Sequence, residues 1–167
     1  MYVATAADWR DPASYARHED RGELFPDLGA AGTEDPFVYL DDAGFYHAVF
    51  HHMYGTGTAT QWWLDATGGH AFSRDGWAWT YTGVCYGDAT ARYDTPGGRG
   101  ATVAFDDGAS FTFTRLERPH LAFAGRALRG DPTHLLNAAQ YGDGTDPGTG
   151  ANNDDAAFTI IRPINQA

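Results

Sequence analysis

The sequence predicts an all-β fold, and three observations carry that prediction. First, 21 Gly and eight Pro punctuate short aromatic and β-branched runs, the pattern of strands joined by turns. Second, the usual helix-surface residues are nearly missing: there is no Lys and there are only four Glu, against 18 Asp. Asp favours turns because its side chain bonds nearby backbone. Third, the paired runs are joined by hairpin sequences, Asp41-Asp42-Ala43-Gly44, Asp75-Gly76 and Asp106-Asp107-Gly108.

In chain order, the expected strands are Tyr2–Thr5, Phe37–Leu40, Phe45–His51, His70–Ser73 and Trp77–Tyr81, then Thr102–Phe105, Phe111–Leu116, His120–Phe123, Thr133–Asn137 and Phe158–Ile161. Each is short and rich in aromatic or β-branched residues. Pro12–Glu19 is the one expected helix, short and weakly patterned.

A chain of 167 residues suits one domain able to bury roughly two thirds of its unfolded surface. Hydrophobic residues at 43% with charged residues at 20% argue against disorder and against a coiled coil. The single Cys85 excludes an internal disulfide framework and a multi-cysteine metal site. The net charge of -11 makes nucleic acid and anionic membranes poor partners, because phosphates are repelled. A neutral or cationic ligand fits better. Met1–Thr5 has neither a charged nor an apolar leader pattern, so no secretory signal is expected and the compartment stays open.

An internal repeat organises the chain. Glu34-Asp35-Pro36-Phe37-Val38 and Glu117-Arg118-Pro119-His120-Leu121 both read Glu-x-Pro-x-aliphatic. Each precedes a hairpin whose second strand carries a histidine, His47 in one copy and His134 in the other. The openings lie 83 residues apart and the histidines 87. Ala7-Asp8-Trp9 loosely echoes Ser73–Trp79 as a partial third copy. Repeated sets of short antiparallel strands suggest propeller blades.

These residues resemble the five-bladed β-propeller glycoside hydrolases, family 43 and the arabinanase- and invertase-like clan around it. The resemblance, carried by Glu34–His51 and Gly68–Trp79, spans Glu34–Asn137 with a weak extension to Met1–Asp11, and the segment with Ser73, Asp75, Gly76 and Trp79 is similar to the outer hairpin of a blade. It implies a partial five-bladed β-propeller with four-stranded antiparallel blades. Residues 1–33 would be the tail of one blade and a linker, 34–83 one blade, and 84–167 one blade plus a closing strand. About two and a half blades fit in this length, so the chain resembles the C-terminal half of a ring. A homodimer, or blades from a longer chain, would complete it.

In an antiparallel meander, the start of the first strand and the end of the second lie at the same end of the sheet. Glu34 and Asp35 should therefore share an end with His51, His52 and the loop carrying Trp62 and Trp63, and Glu117 and Arg118 with Asn137. The turns at Asp41–Gly44 and Arg74–Gly76 should fall at the opposite end. Glycoside cleavage needs two carboxyl groups flanking the bond, one donating a proton and one activating water or attacking carbon. Glu34, Asp35 and Glu117 are the catalytic candidates. The resemblance implies that Glu117 is the proton donor and Asp35 the residue that modulates it, with Glu34 an alternative donor. The family's water-activating Asp has no match here. The same carboxylates could instead cap strand starts before proline.

The candidate substrate-binding residues are His51, His52, Trp62, Trp63, Arg118 and Asn137, because sugar faces stack on indole rings while a few polar groups fix orientation. Trp77 and Trp79 are expected in the core, and His47 and His134 as half-buried structural histidines. No metal ligand set is expected. The Asp/Gly run Tyr141–Gly148, with Asn152–Asp155, offers oxygen ligands for Ca²⁺ but lacks the EF-hand spacing. The expected activity is hydrolysis of O-glycosyl bonds in a neutral oligo- or polysaccharide. Two other readings compete: a non-catalytic carbohydrate-binding or interaction module, and a sialidase-like protein suggested by the Asp-box-like Ser73-Arg74-Asp75-Gly76 followed by Trp79.

Overall fold

A computed structural model describes residues 1–28, 32–52, 67–87, 101–113, 115–125, 128–140 and 157–164. The chain is all-β, in several small antiparallel sheets. Strands β1 (Ala4–Ala6) and β2 (Tyr15–Arg17) form a hairpin. Strands β3 (Thr33–Leu40), β4 (Tyr46–His52), β5 (Gly68–Ser73) and β6 (Trp79–Tyr86) form a four-stranded meander. Strands β7 (Ala101–Ala104) and β8 (Ser110–Phe113) make a second hairpin. The last sheet is a meander of β9 (Arg115–Phe123), β10 (Pro132–Gln140) and β11 (Ala157–Pro163). Among the described residues no sheet closes on itself, and no helix is long and apolar enough to cross a membrane.

The helix expected over Pro12–Glu19 does not form. Asp11 caps one 3-10 turn, Pro12–Ser14, by accepting from the Ala13 N–H at 2.9 Å. At Tyr15 the chain turns extended to pair with β1, and its hydroxyl donates to Trp9 O at 2.9 Å. A segment this short cannot offset helix nucleation, so strand pairing wins. The expected strand Phe111–Leu116 is also split: β8 ends at Phe113 and β9 starts at Arg115 in a different sheet. Hydropathy alternation cannot report such a change of partner.

The turns follow their sequence signals. Asp41 Oδ1 accepts from the Phe45 N–H at 2.8 Å, and Gly44 takes a φ of 87° that a side chain would resist. Between β5 and β6, Asp75 Oδ1 accepts from the Trp77 and Ala78 N–H groups, both at 2.8 Å. Ser73 Oγ donates to Asp75 Oδ1 at 3.0 Å, and the Trp79 indole donates to Gly76 O at 3.0 Å. The Asp-box-like sequence is thus a self-bonded turn that aligns its own hairpin.

Among the described residues, two hydrophobic clusters hold the sheets. One face of the first sheet presents Ala48, Phe50 and Ala71, covered by Phe25 with Met1, Leu24 and Leu28 from the N-terminal segment. The Phe25 and Phe50 rings stack at 5.2 Å. This cover leaves an apolar cavity of about 340 Å³ bordered by Tyr2, Pro36, Val38, Tyr46 and Trp79. The β7–β8 hairpin covers the last sheet through Ala101, Val103 and Phe113, which join Tyr86, Leu116, Ala139 and Ile160.

The two larger sheets meet along β3 and β9. Phe37 meets His120 at 5.1 Å between ring centres, and Tyr39 meets Phe123 at 5.4 Å. At one end of this seam the Gly130 N–H donates to Leu40 O at 3.0 Å. At the other end lie the two Glu-x-Pro openings.

The repeat is structural as well as sequential. Glu34 pairs with His51 and Phe37 with Val49, leaving a bulge at Asp35-Pro36. Glu117 pairs with Ala138 and His120 with Leu136, leaving the same bulge at Arg118-Pro119. The middle residues are both left-handed, Asp35 at φ 52° and Arg118 at φ 48°. Tyr39 lies opposite His47 and Ala122 opposite His134, so the histidines occupy equivalent register positions.

Candidate active site at the seam of two sheets

Each bulge re-aims the residues around it, which is the common use of a β-bulge. At the first bulge, Glu34 turns back on its strand partner, with Oε1 3.1 Å from Nδ1 of His51. His51 is fully buried, whereas the Glu34 side chain is 46% exposed. The pair therefore reaches from the core to the surface. At the second bulge, Arg118 Nη1 donates to Glu117 Oε2 at 3.2 Å, and its Nε lies 3.9 Å from Asp35 Oδ2. One guanidinium thus stands between the carboxylates of the two repeats.

Glu117 is the most enclosed of the three carboxylates, its side chain 12% exposed. Arg115 Nε stands 3.6 Å from its Oε1, and Arg115 Nη1 donates to Gln140 Oε1 at 3.1 Å. Behind it, buried Asn137 spans two strands. Its Nδ2 donates to Glu117 O at 3.4 Å, and its Oδ1 accepts from Arg162 Nη2 at 2.7 Å. The Tyr86 hydroxyl donates to Leu116 O at 3.2 Å, and burial pushes that phenol strongly upward. Asn137, Tyr86 and Arg162 therefore hold the β9 opening from behind.

Glu34, Asp35, Glu117, Arg118 and His51 thus come together at one end of the β3–β9 seam. Asn137 supports this mouth from the interior. His52 is buried, and the Tyr81 hydroxyl lies 3.1 Å from its Nδ1, on the face that packs against Phe50. It stands behind the mouth rather than in it, because neighbouring strand residues alternate faces. Trp62 and Trp63, and the Asp/Gly run Tyr141–Gly148 with Asn152–Asp155, lie outside the described residues. The Ser73–Trp79 turn is at the far end of the first sheet.

Sequence reasoning missed Arg115 and Arg162. Arg115 was legible in principle: it lies two residues before Glu117, and alternate strand residues share a face. Arg162 was not, because its approach to Asn137 depends on β11 pairing with β10.

Three carboxylates and two guanidiniums on one rim can bind hydroxyl groups, donating and accepting at once. No family model, no curated protein and no solved structure matches this chain.

Proposed function

We propose that this protein is a glycoside hydrolase-like protein, cleaving O-glycosyl bonds of a neutral oligo- or polysaccharide at the mouth formed by Glu34, Asp35 and Glu117. The observation that supports this reading is the meeting of the two repeat openings: Asp35 and Glu117 approach the same Arg118 side chain at 3.9 and 3.2 Å. Carboxyl groups on either side of a bound glycosidic oxygen are the requirement of this chemistry. The family resemblance assigns Glu117, the most enclosed carboxylate, as proton donor with Asp35 beside it; Glu34, on buried His51, is the alternative donor. The repeated four- and three-stranded meanders, side by side along their first strands, fit two blades of a five-bladed β-propeller. The water-activating carboxylate would come from a second copy or from blades on a longer chain.

A non-catalytic carbohydrate-binding module is the second reading. It is favoured by the two arginines that already occupy Glu117 and by the lack of a sequence match to the family's water-activating Asp.

One experiment separates the two. Glu34→Gln and Glu117→Gln, each alone, are compared with wild type on arabinan, xylan and fructan, with products read by chromatography. Loss of product in either variant supports the enzyme. Glycan binding without product, weakened by Trp62→Ala or Trp63→Ala, supports the module. Full turnover in both variants removes the proposed chemistry.

A further inference from the structure

We propose that Thr82 is a nucleophilic hydroxyl, open to acylation by activated esters, at the end of a hydrogen-bonded relay Asp41–His47–His70–Thr82. The relay is separate from the carboxylate mouth. It crosses the first sheet at the other end of β4, from the β3–β4 turn to the outer strand β6.

With both imidazole rings neutral, the relay has one consistent direction. Asp41 Oδ1 is taken by the Phe45 N–H at 2.8 Å, and Oδ2 lies 3.2 Å from His47 Nε2. With Nε2–H donating to the carboxylate, His47 Nδ1 must accept. Its partner is His70 Nε2 at 3.0 Å. His70 Nδ1 then accepts in turn, and Thr82 Oγ1 stands 2.6 Å from it. The same hydroxyl is also placed to donate to His70 O at 3.1 Å; in the relay its single proton goes instead to the ring nitrogen, which is nearer. A hydroxyl on a base that is oriented by a further group is the general arrangement of an activated nucleophile.

The surroundings support both the base and its orientation. Burial, then the neighbouring His47, hold His70 below the ordinary histidine value, which leaves its ring neutral and able to accept a proton. The Tyr39 ring stacks on His47 at 5.0 Å and 19°. Thr82 is the extra residue of a bulge in β6, since Gly83 pairs with His70 but Tyr81 pairs with Ala71. It is exposed, so a reagent can approach it.

The step balances within the relay. Thr82 Oγ1 attacks the ester carbonyl, and its proton passes to His70 Nδ1. The His70 Nε2 proton moves to His47 Nδ1, so the positive charge comes to rest beside Asp41. The C–O bond to the leaving group breaks, and a phenolate departs with the electron pair. Thr82 and His70 carry the reaction; His47 and Asp41 are positioning residues.

The test is acetylation of the intact protein by p-nitrophenyl acetate, located by peptide mass spectrometry. Thr80 and Thr112 serve as controls, being exposed strand threonines outside the relay. Thr82 is expected to acetylate at least about a hundredfold faster than either, at the low end of what a positioned base supplies. His70→Gln and Asp41→Asn should slow Thr82 alone, with Thr80 unchanged; Asn keeps an oxygen for the Phe45 N–H. Thr82→Ser should retain labelling and Thr82→Val lose it. Equal labelling of Thr82 and Thr80 in wild type overturns the proposal, because the chain of bonds would then only satisfy ring nitrogens.

Discussion

Arg118 reaches Asp35 across the boundary between two sheets, its Nε 3.9 Å from Oδ2, and both residues are left-handed and precede proline. The equivalent positions of two repeats are thereby brought face to face. A left-handed conformation costs a non-glycine residue about 1–2 kcal/mol, and a following proline restricts it further. Such strain persists where the surrounding structure over-determines it, as at functional sites.

That strain is measurable. Asp35→Gly and Arg118→Gly are expected to be more stable than the corresponding Ala variants by about 1 kcal/mol, because glycine takes positive φ without penalty. Urea unfolding of the four variants decides it. Ala variants as stable as the Gly variants would mean that the bulges relax freely.

The ion pair itself contributes little to stability. The Arg118 side chain is 65% exposed and that of Asp35 35%, so Arg118→Met should cost under about 1 kcal/mol in a urea titration. Its effect belongs to the arrangement of the mouth. A loss of several kcal/mol would show that the pair holds the seam together.

Two glycines in β5 exist for space. A Cβ at Gly68 would fall within the Tyr86 ring, and one at Gly69 within the Phe50 ring. Gly68→Ala and Gly69→Ala are each expected to cost about 1–3 kcal/mol, the usual range for overpacking. Gly44→Ala meets no neighbour, and its cost is conformational alone. Thermal unfolding with circular dichroism separates the two causes: raising the side-chain volume further should worsen the β5 variants only.

Phe50 anchors the first cluster and is fully buried against Phe25. Phe50→Ala should cost about 3–5 kcal/mol, whereas Ile161→Ala, 62% exposed, should stay within about 0.5 kcal/mol. Comparable losses would place the core elsewhere.

Acid and base should act through named groups. His70 lies below its ordinary 6.5, held there by burial and then by His47. Its neutral form is favoured by folding, so this contribution is whole above 6.5 and is lost as pH falls toward the folded value. Asp41 and Asp75 lie below 3.8, each held mainly by backbone N–H groups, so their contributions survive until pH falls through the carboxylate range. Cys85 is an exposed residue by surface area, yet desolvation around its thiol pushes it from 9.0 up to about 12. Between those values the unfolded chain loses a proton that the folded chain keeps, so stability falls as pH rises. Maleimide should therefore label Cys85 slowly at pH 8 in the folded protein and quickly in urea. Equal rates would contradict that desolvation.

Most of the strand content was legible. Asp41–Gly44, Asp75-Gly76 and Asp106–Gly108 marked their turns because Asp and Gly act on backbone within a few residues. The repeat was legible in the 83- and 87-residue offsets, and the strand register preserves both. The segment Pro12–Glu19 misled, because its local preference was weak and its pairing partner, Ala4–Ala6, set the outcome. The break between Phe113 and Arg115 left no trace, because both sides read as strand. The histidines at positions 47 and 70 showed no sign of their contact, since it arises from the pairing of β4 with β5.

The sequence by itself determined that the chain is all-β, where it turns and which residues open its two related units. These are effects of neighbouring residues on one another, and neighbours in sequence are always neighbours in space. Only the tertiary structure decided that the two openings face each other through Arg118, and that Asp41, His47, His70 and Thr82 line up across a sheet. Such contacts depend on which strands pair and at what angle sheets meet, which is set by burial summed over the whole chain.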